Sequence, residues 1–157
     1  MIINLVGPCG AGKTTLAGKL SQSLDMPVYG IADFRARHGS EMEAWSAMRK
    51  RIDSGKGECI IDSTGLNRHL YDTVLKDREY LTIKLRCSIE EALRRAKPDE
   101  GTSDFGMDFH LFVKKSVLAA QRLDADLVID TEDFTEEEVL DKALSFIRRY
   151  PLANSKK

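Results

Sequence analysis

Gly7-Pro8-Cys9-Gly10-Ala11-Gly12-Lys13-Thr14 decides the fold. These residues fit the pattern G-x-x-x-x-G-K-S/T at every fixed position. An apolar run, Ile2 to Val6, stands immediately before them and reads as a strand. Leu16, Leu20 and Leu24 recur every fourth residue after them, which predicts a helix over 14–24. Strand, loop and helix therefore come in the order that a polyphosphate cradle needs. Glycine lets the backbone wrap an anion closely, and the N–H groups and dipole of the helix start attract it. Lys13 is placed to reach the β- and γ-phosphates, and the Thr14 hydroxyl to bind Mg²⁺. The expected nucleotide contacts are Gly7, Gly10, Ala11, Gly12, Lys13, Thr14 and Thr15. A glycine-rich turn with a surface lysine is the bland alternative, and the agreement of all three elements argues against it.

Outward from the loop, apolar runs alternate with amphipathic stretches. Strands are expected at 2–6, 27–31, 58–62, 80–86 and 126–130. Helices are expected at 14–24, 40–54, 67–76, 88–96, 109–123 and 135–150. Ser40, Ser88 and Thr135 stand as N-caps, and Pro151 is expected to stop the last helix. Such alternation predicts an α/β fold: a five-stranded parallel sheet inside a three-layer α/β/α sandwich. One domain over 1–153, with a small lid at about 95–108 and a disordered tail at 154–157, accounts for the chain.

The 157 residues suit one core, and 42% apolar with 31% charged residues is ordinary for a globular protein. A net charge of −1 argues against a protein that coats long nucleic acid, and leaves room for a local basic patch. No apolar run approaches the roughly 20 residues that span a bilayer. The start lacks the basic and small-residue features of a signal peptide, so a cytoplasmic monomer or homodimer is expected. Cys9, Cys59 and Cys87 show no disulfide or zinc spacing; Cys59 and Cys87 read as core residues.

Ligands of an open parallel sheet sit beyond the carboxyl ends of its strands. Asp33, Asp62 and Asp130 fall there. Asp62, closing Cys59-Ile60-Ile61-Asp62, is the expected metal-side carboxylate beside Thr14; a turn cap is its plain alternative. Asp33 is the expected catalytic carboxylate that orients an acceptor hydroxyl, with Phe34 and Arg35 or Arg37 as acceptor contacts. Asp130-Thr131 either approaches the nucleotide base or caps a loop. Arg94, Arg95 and Lys97 precede the polar stretch 98–108, where a closing lid would keep water from the γ-phosphate. Arg95 is preferred to Arg94 as the catalytic cation. His38, His69 and His110 lack metal-ligand spacing, Trp45 lies on an apolar helical stripe, and Arg49-Lys50-Arg51 reads as a solvated face.

These motifs together resemble the small kinase branch of P-loop proteins. The chain looks most like the 5′-hydroxyl kinase domain of phage polynucleotide kinases and the related predicted-kinase family, over nearly its whole length. Gly7 to Thr15 carries most of the likeness, joined by Ile61-Asp62-Ser63-Thr64-Gly65-Leu66-Asn67, Leu93-Arg94-Arg95 and Leu127 to Thr131. It implies ATP and Mg²⁺ as cofactors, acceptor contacts at Asp33, Arg35 and Asn67, and transfer to a hydroxyl of a nucleic acid or nucleotide. The family often has Asp-Asp-x-Arg where this chain has Ala32-Asp33-Phe34-Arg35, which leaves open which pair is equivalent. The Gly-Phe-Pro-Arg segment of nucleoside monophosphate kinases is absent. A gluconate- or shikimate-type metabolite kinase and a nucleotide-binding switch without transfer remain alternatives.

Overall fold

The structure is a computed structural model that describes residues 1–96 and 108–154, the last four as backbone only. Five strands form one all-parallel sheet: β1 (Ile2–Val6), β2 (Val28–Gly30), β3 (Cys59–Asp62), β4 (Tyr80–Arg86) and β5 (Leu127–Asp130). Their order across the sheet is β2-β3-β1-β4-β5. β1 therefore lies at the centre, with β3 on one side and β4 on the other. The chain leaves β1 at the point where the strand order reverses, which is where open parallel sheets bind their ligands.

The helices are α1 (Lys13–Leu24), α2 (Ile31–Arg35), α3 (Glu41–Ser54), α4 (Leu70–Leu75, wound as a π-helix), α5 (Ile89–Arg95), α6 (Phe109–Ala120) and α7 (Glu136–Asn154). The two-residue period of the strands splits the core between them. Ile3, Leu5 and Ile60 pack with Leu16 and Leu20 of α1 and Ala143 and Ile147 of α7. Ile2, Cys59 and Ile61 pack on the other face, with Trp45, Met48 and Ile52 of α3 and Leu70 and Val74 of α4. Burying Met48 and Ile52 contributes roughly 1.5–3 kcal/mol each. Cys59 and Cys87 are buried free thiols, and burial pushes the Cys59 thiol up to about 11.

Three segments differ from expectation. The second strand ends at Gly30, and residues 31–35 turn into α2 where a loop was expected. The expected helix at 67–76 narrows to α4 and widens its winding. The last helix runs through Pro151 to Asn154; a missing N–H costs a terminal turn one ladder bond, which does not end it there. The expected tail is thus helical at Asn154, and 155–157 lie outside the described residues, as do positions 97–107 of the expected lid.

Candidate active site

The loop leaves β1 through two glycines that no other residue could replace without strain. Gly7 has φ +149° and Gly10 φ +85°. A Cβ at Gly7 would stand 2.5 Å from the Leu85 carbonyl oxygen, and one at Gly10 would stand 2.5 Å from that of Ala92. The loop is thus wedged between β4 and α5. A further tie comes from α6, where the Ser116 hydroxyl accepts from the Cys9 N–H at 3.3 Å.

The loop delivers the chain into α1, whose start differs from those of its neighbours. Ser40, Ser88 and Asp108 cap α3, α5 and α6 by accepting from backbone N–H groups. α1 has no side-chain cap and no acidic residue in its first turn. Its N-terminal N–H groups and positive dipole end carry no built-in anion, as a phosphate site requires.

Lys13 is buried, with 9% exposure. Its ammonium donates to the Gly7 and Pro8 carbonyls, each at 2.9 Å. A buried ammonium held by neutral carbonyls strongly favours an incoming anion. The Thr14 hydroxyl donates to Asp62 Oδ2 at 3.0 Å. This contact joins the start of α1 to the end of β3, 48 positions apart in sequence. A hydroxyl and a carboxylate side by side make a hard-oxygen pair that suits Mg²⁺, which keeps waters and phosphate oxygens for its remaining positions.

A cleft of 620 Å³ opens around these groups and lies across the strand ends. Toward β5 it is lined by Lys19, Arg95, Thr131, Phe134 and Val139. Toward β2 it is lined by Ile31, Ala32, Arg35, Trp45, Thr64 and Asn67. The phosphate loop lies between the two halves.

The structure places most of the sequence-selected residues on this cleft. Gly10, Ala11, Gly12, Lys13, Thr14, Thr15, Asp62, Arg35, Asn67 and Arg95 all line it. Arg95 does so from the β5 side, donating to Glu91 at 2.6 Å and to the Thr131 hydroxyl at 3.0 Å. Glu91 also accepts from Arg94, and chiefly that bond holds its carboxyl down at about 2. Asp130 turns to Arg86 through two 2.7 Å hydrogen bonds, which leaves Thr131 on the cleft.

Asp33 stands apart from this wall. It is exposed and does not line the cleft; nor does Arg37. In an extended segment residues 33 and 35 would share a side. In helix α2 residues 31, 32 and 35 share one, so Ala32 and not Asp33 faces the cleft beside Arg35. Phe34 packs edge-on against Tyr29 at 6.3 Å instead of offering a stacking face.

The carboxylate at that end is Glu41, which the sequence reading passed over. It accepts from Arg35 Nε, from Arg35 again at 3.2 Å, from the Trp45 indole N–H at 3.0 Å and from the Asn67 amide at 2.9 Å. Burial by itself would raise the Glu41 carboxyl, but these donors, Arg35 foremost, hold it below its usual range. Trp45 is both a core residue, as expected, and part of the cleft wall. The one available signal was the i, i+4 spacing of Glu41 and Trp45.

No protein-family model and no curated protein matches the chain. Solved structures do. A shikimate kinase from Acinetobacter baumannii in complex with shikimate superimposes with a TM-score of 0.70 at 19% identity, over 99% of this chain and 95% of the other. The fold is that of the small P-loop kinases. A gluconokinase from Sinorhizobium meliloti 1021 gives a TM-score of 0.67 at 12% identity, over 94% and 91% of the two chains. Deoxyadenosine kinase from M. mycoides with bound dATP gives 0.65 at 16% identity, over 94% and 100%. Among the described residues of this P-loop kinase fold, no helix is long and apolar enough to cross a membrane.

Proposed function

We propose that the protein is an ATP-dependent kinase that moves the γ-phosphoryl group to a hydroxyl of a nucleotide or nucleic acid. The observation that carries this reading is the Thr14–Asp62 contact beside the buried Lys13 ammonium, at the uncapped start of α1. In this reading the loop amides and Lys13 hold the β- and γ-phosphates, and Thr14 and Asp62 hold the metal. A Mg²⁺ held there would supply positive charge to the β- and γ-phosphate oxygens. The transition state is loose, so positioning and charge stabilisation carry the reaction and the demand on a base is small. Arg95 and Thr131 serve the donor half; Arg35, Asn67 and Trp45 hold the acceptor.

The choice of acceptor follows from charge. Among the described residues lining the β2 half, Arg35 is the only cation, and it is bound twice by Glu41. The rest of that wall is uncharged: Ile31, Ala32 and Trp45, with the neutral polar groups of Thr64 and Asn67. Such a site suits an uncharged hydroxyl on a flat ring or sugar better than a sugar acid. A 5′ end or a hydroxymethyl group on a pyrimidine in DNA fits, with strand phosphates reaching the exposed Arg37 and Arg68. The likeness to shikimate and gluconate kinases favours the second reading, a small-metabolite kinase.

Incubation with γ-labelled ATP tests both readings against single-stranded DNA, hydroxymethylated DNA, nucleosides, shikimate and gluconate. Label on a nucleic-acid or nucleoside hydroxyl supports the first. Label on a sugar acid alone supports the second, and label on nothing, with ATP bound, points to a switch. Asp33→Asn is expected to leave kcat and the acceptor KM within about twofold of wild type, because the side chain lies off the cleft. Steady-state kinetics checks this; a loss above about tenfold in kcat would return Asp33 to the site.

A further inference from the structure

We propose that Glu41 is a specificity-determining residue: by holding Arg35, Trp45 and Asn67 on one carboxylate it sets the charge of the acceptor half and turns away anionic acceptors. The inference rests on the kinase reading and deepens it, by naming as the class an acceptor whose moiety inside this half is uncharged, any phosphates of its own lying outside the pocket. All three donors line the cleft, and they come from α2, α3 and the loop after β3. A single carboxylate of α3 thus ties its own helix to α2 and to the loop after β3. Its charge persists at neutral pH, since its carboxyl is held below the usual range. Removing it changes the local charge by +1 whatever other contacts Arg35 keeps.

The arrangement is also built to place groups as well as to set charge. Asn67 spends one side of its amide on Glu41 and accepts from the His69 N–H at 2.8 Å on the other. Both ends of the side chain are fixed, so its remaining N–H has one direction. The indole of Trp45 is fixed in the same way, by packing on the ring and by Glu41 at the N–H. Trp45 is the chain's single tryptophan, so indole fluorescence and the indole N–H resonance report on this half alone.

The test compares wild type, Glu41→Gln and Glu41→Gln with Arg35→Gln, each loaded with Mg²⁺ and the non-hydrolysable AMP-PNP. Orthophosphate and D-gluconate, two anions of different shape, are titrated while Trp45 fluorescence is followed. Glu41→Gln is expected to bind both anions about tenfold tighter than wild type, the effect of one added charge at close range. The double variant is expected to return to wild-type affinity. Anion affinities within twofold of wild type in Glu41→Gln, or a gain that survives loss of Arg35, would overturn the proposal. If Glu41→Gln fails to fold, Glu41→Ser makes the same charge change with a smaller side chain and is read in the same way. AMP-PNP affinity serves as the separate check. Nucleotide binding with no anion gain defeats this inference alone, whereas no nucleotide binding by wild type defeats the kinase reading beneath it.

Discussion

Lys13→Ala is expected to lower kcat/KM for phosphoryl transfer by about 10²–10³-fold while the chain stays folded. Among the described residues the side chain is the one buried cation directed at the loop, and its ammonium rests on the Gly7 and Pro8 carbonyls at 2.9 Å. Transfer spreads negative charge over the γ-phosphoryl oxygens, and a preorganised donor in a site shielded from water acts most strongly there. The loss should fall mainly on kcat, because loop amides and the start of α1 still bind the ground-state phosphates. Stability should hold or rise slightly, since the substitution removes a buried charge whose partners are neutral. Single-turnover kinetics with labelled ATP, read beside a thermal melt, separates the two effects. Wild-type turnover in the variant would remove the loop from the mechanism.

Gly10→Ala is expected to damage the fold and nucleotide binding together. At φ +85° a Cβ costs about 1–2 kcal/mol in backbone strain. The same Cβ meets the Ala92 carbonyl oxygen at 2.5 Å, and that atom belongs to helix backbone, which cannot step aside as a side-chain tip would. Overlap of this kind adds about 1–3 kcal/mol. The melting temperature should fall by roughly 5–15 °C for a chain of this size. Gly18→Ala serves as the control. Gly18 is exposed within α1, and a Cβ there meets nothing within 4 Å. It should gain about 0.4–1 kcal/mol by limiting the unfolded chain. Calorimetric melts of both variants check the pair. An unchanged melt for Gly10→Ala would show that the loop is not wedged against α5.

The strands and the phosphate loop were legible in the sequence because their signals are local. Ile2 to Val6, the fixed glycines and the fourfold leucine spacing each speak within a few residues of one another. Asp62 was legible for the same reason, as the polar end of an apolar strand. The second strand's sequel was not. α2 spans five residues, too few to show a helical period, so the segment after the strand read as a loop and Asp33 was chosen as the carboxylate that follows the strand end. The helical turn, which sets Asp33 off the cleft wall, has no signal of its own in five residues. Glu41 stayed hidden because an acid just after an N-cap serine already has an explanation in the helix dipole. Its actual partners stand at 35, 45 and 67, and only the folded sheet brings the first and last of them together. Arg95 was found as a cation before the expected lid, but its place beside Thr131 depends on β4 and β5 pairing, which no local pattern announces.

Calorimetric titration of AMP-PNP into the wild-type protein, once with Mg²⁺ and once with EDTA, tests the central claim most directly. The Thr14–Asp62 pair and the buried Lys13 predict one nucleotide per chain, bound with Mg²⁺ and at least about tenfold more weakly without it. Absence of heat in both titrations, or an affinity that magnesium does not change, would contradict the account.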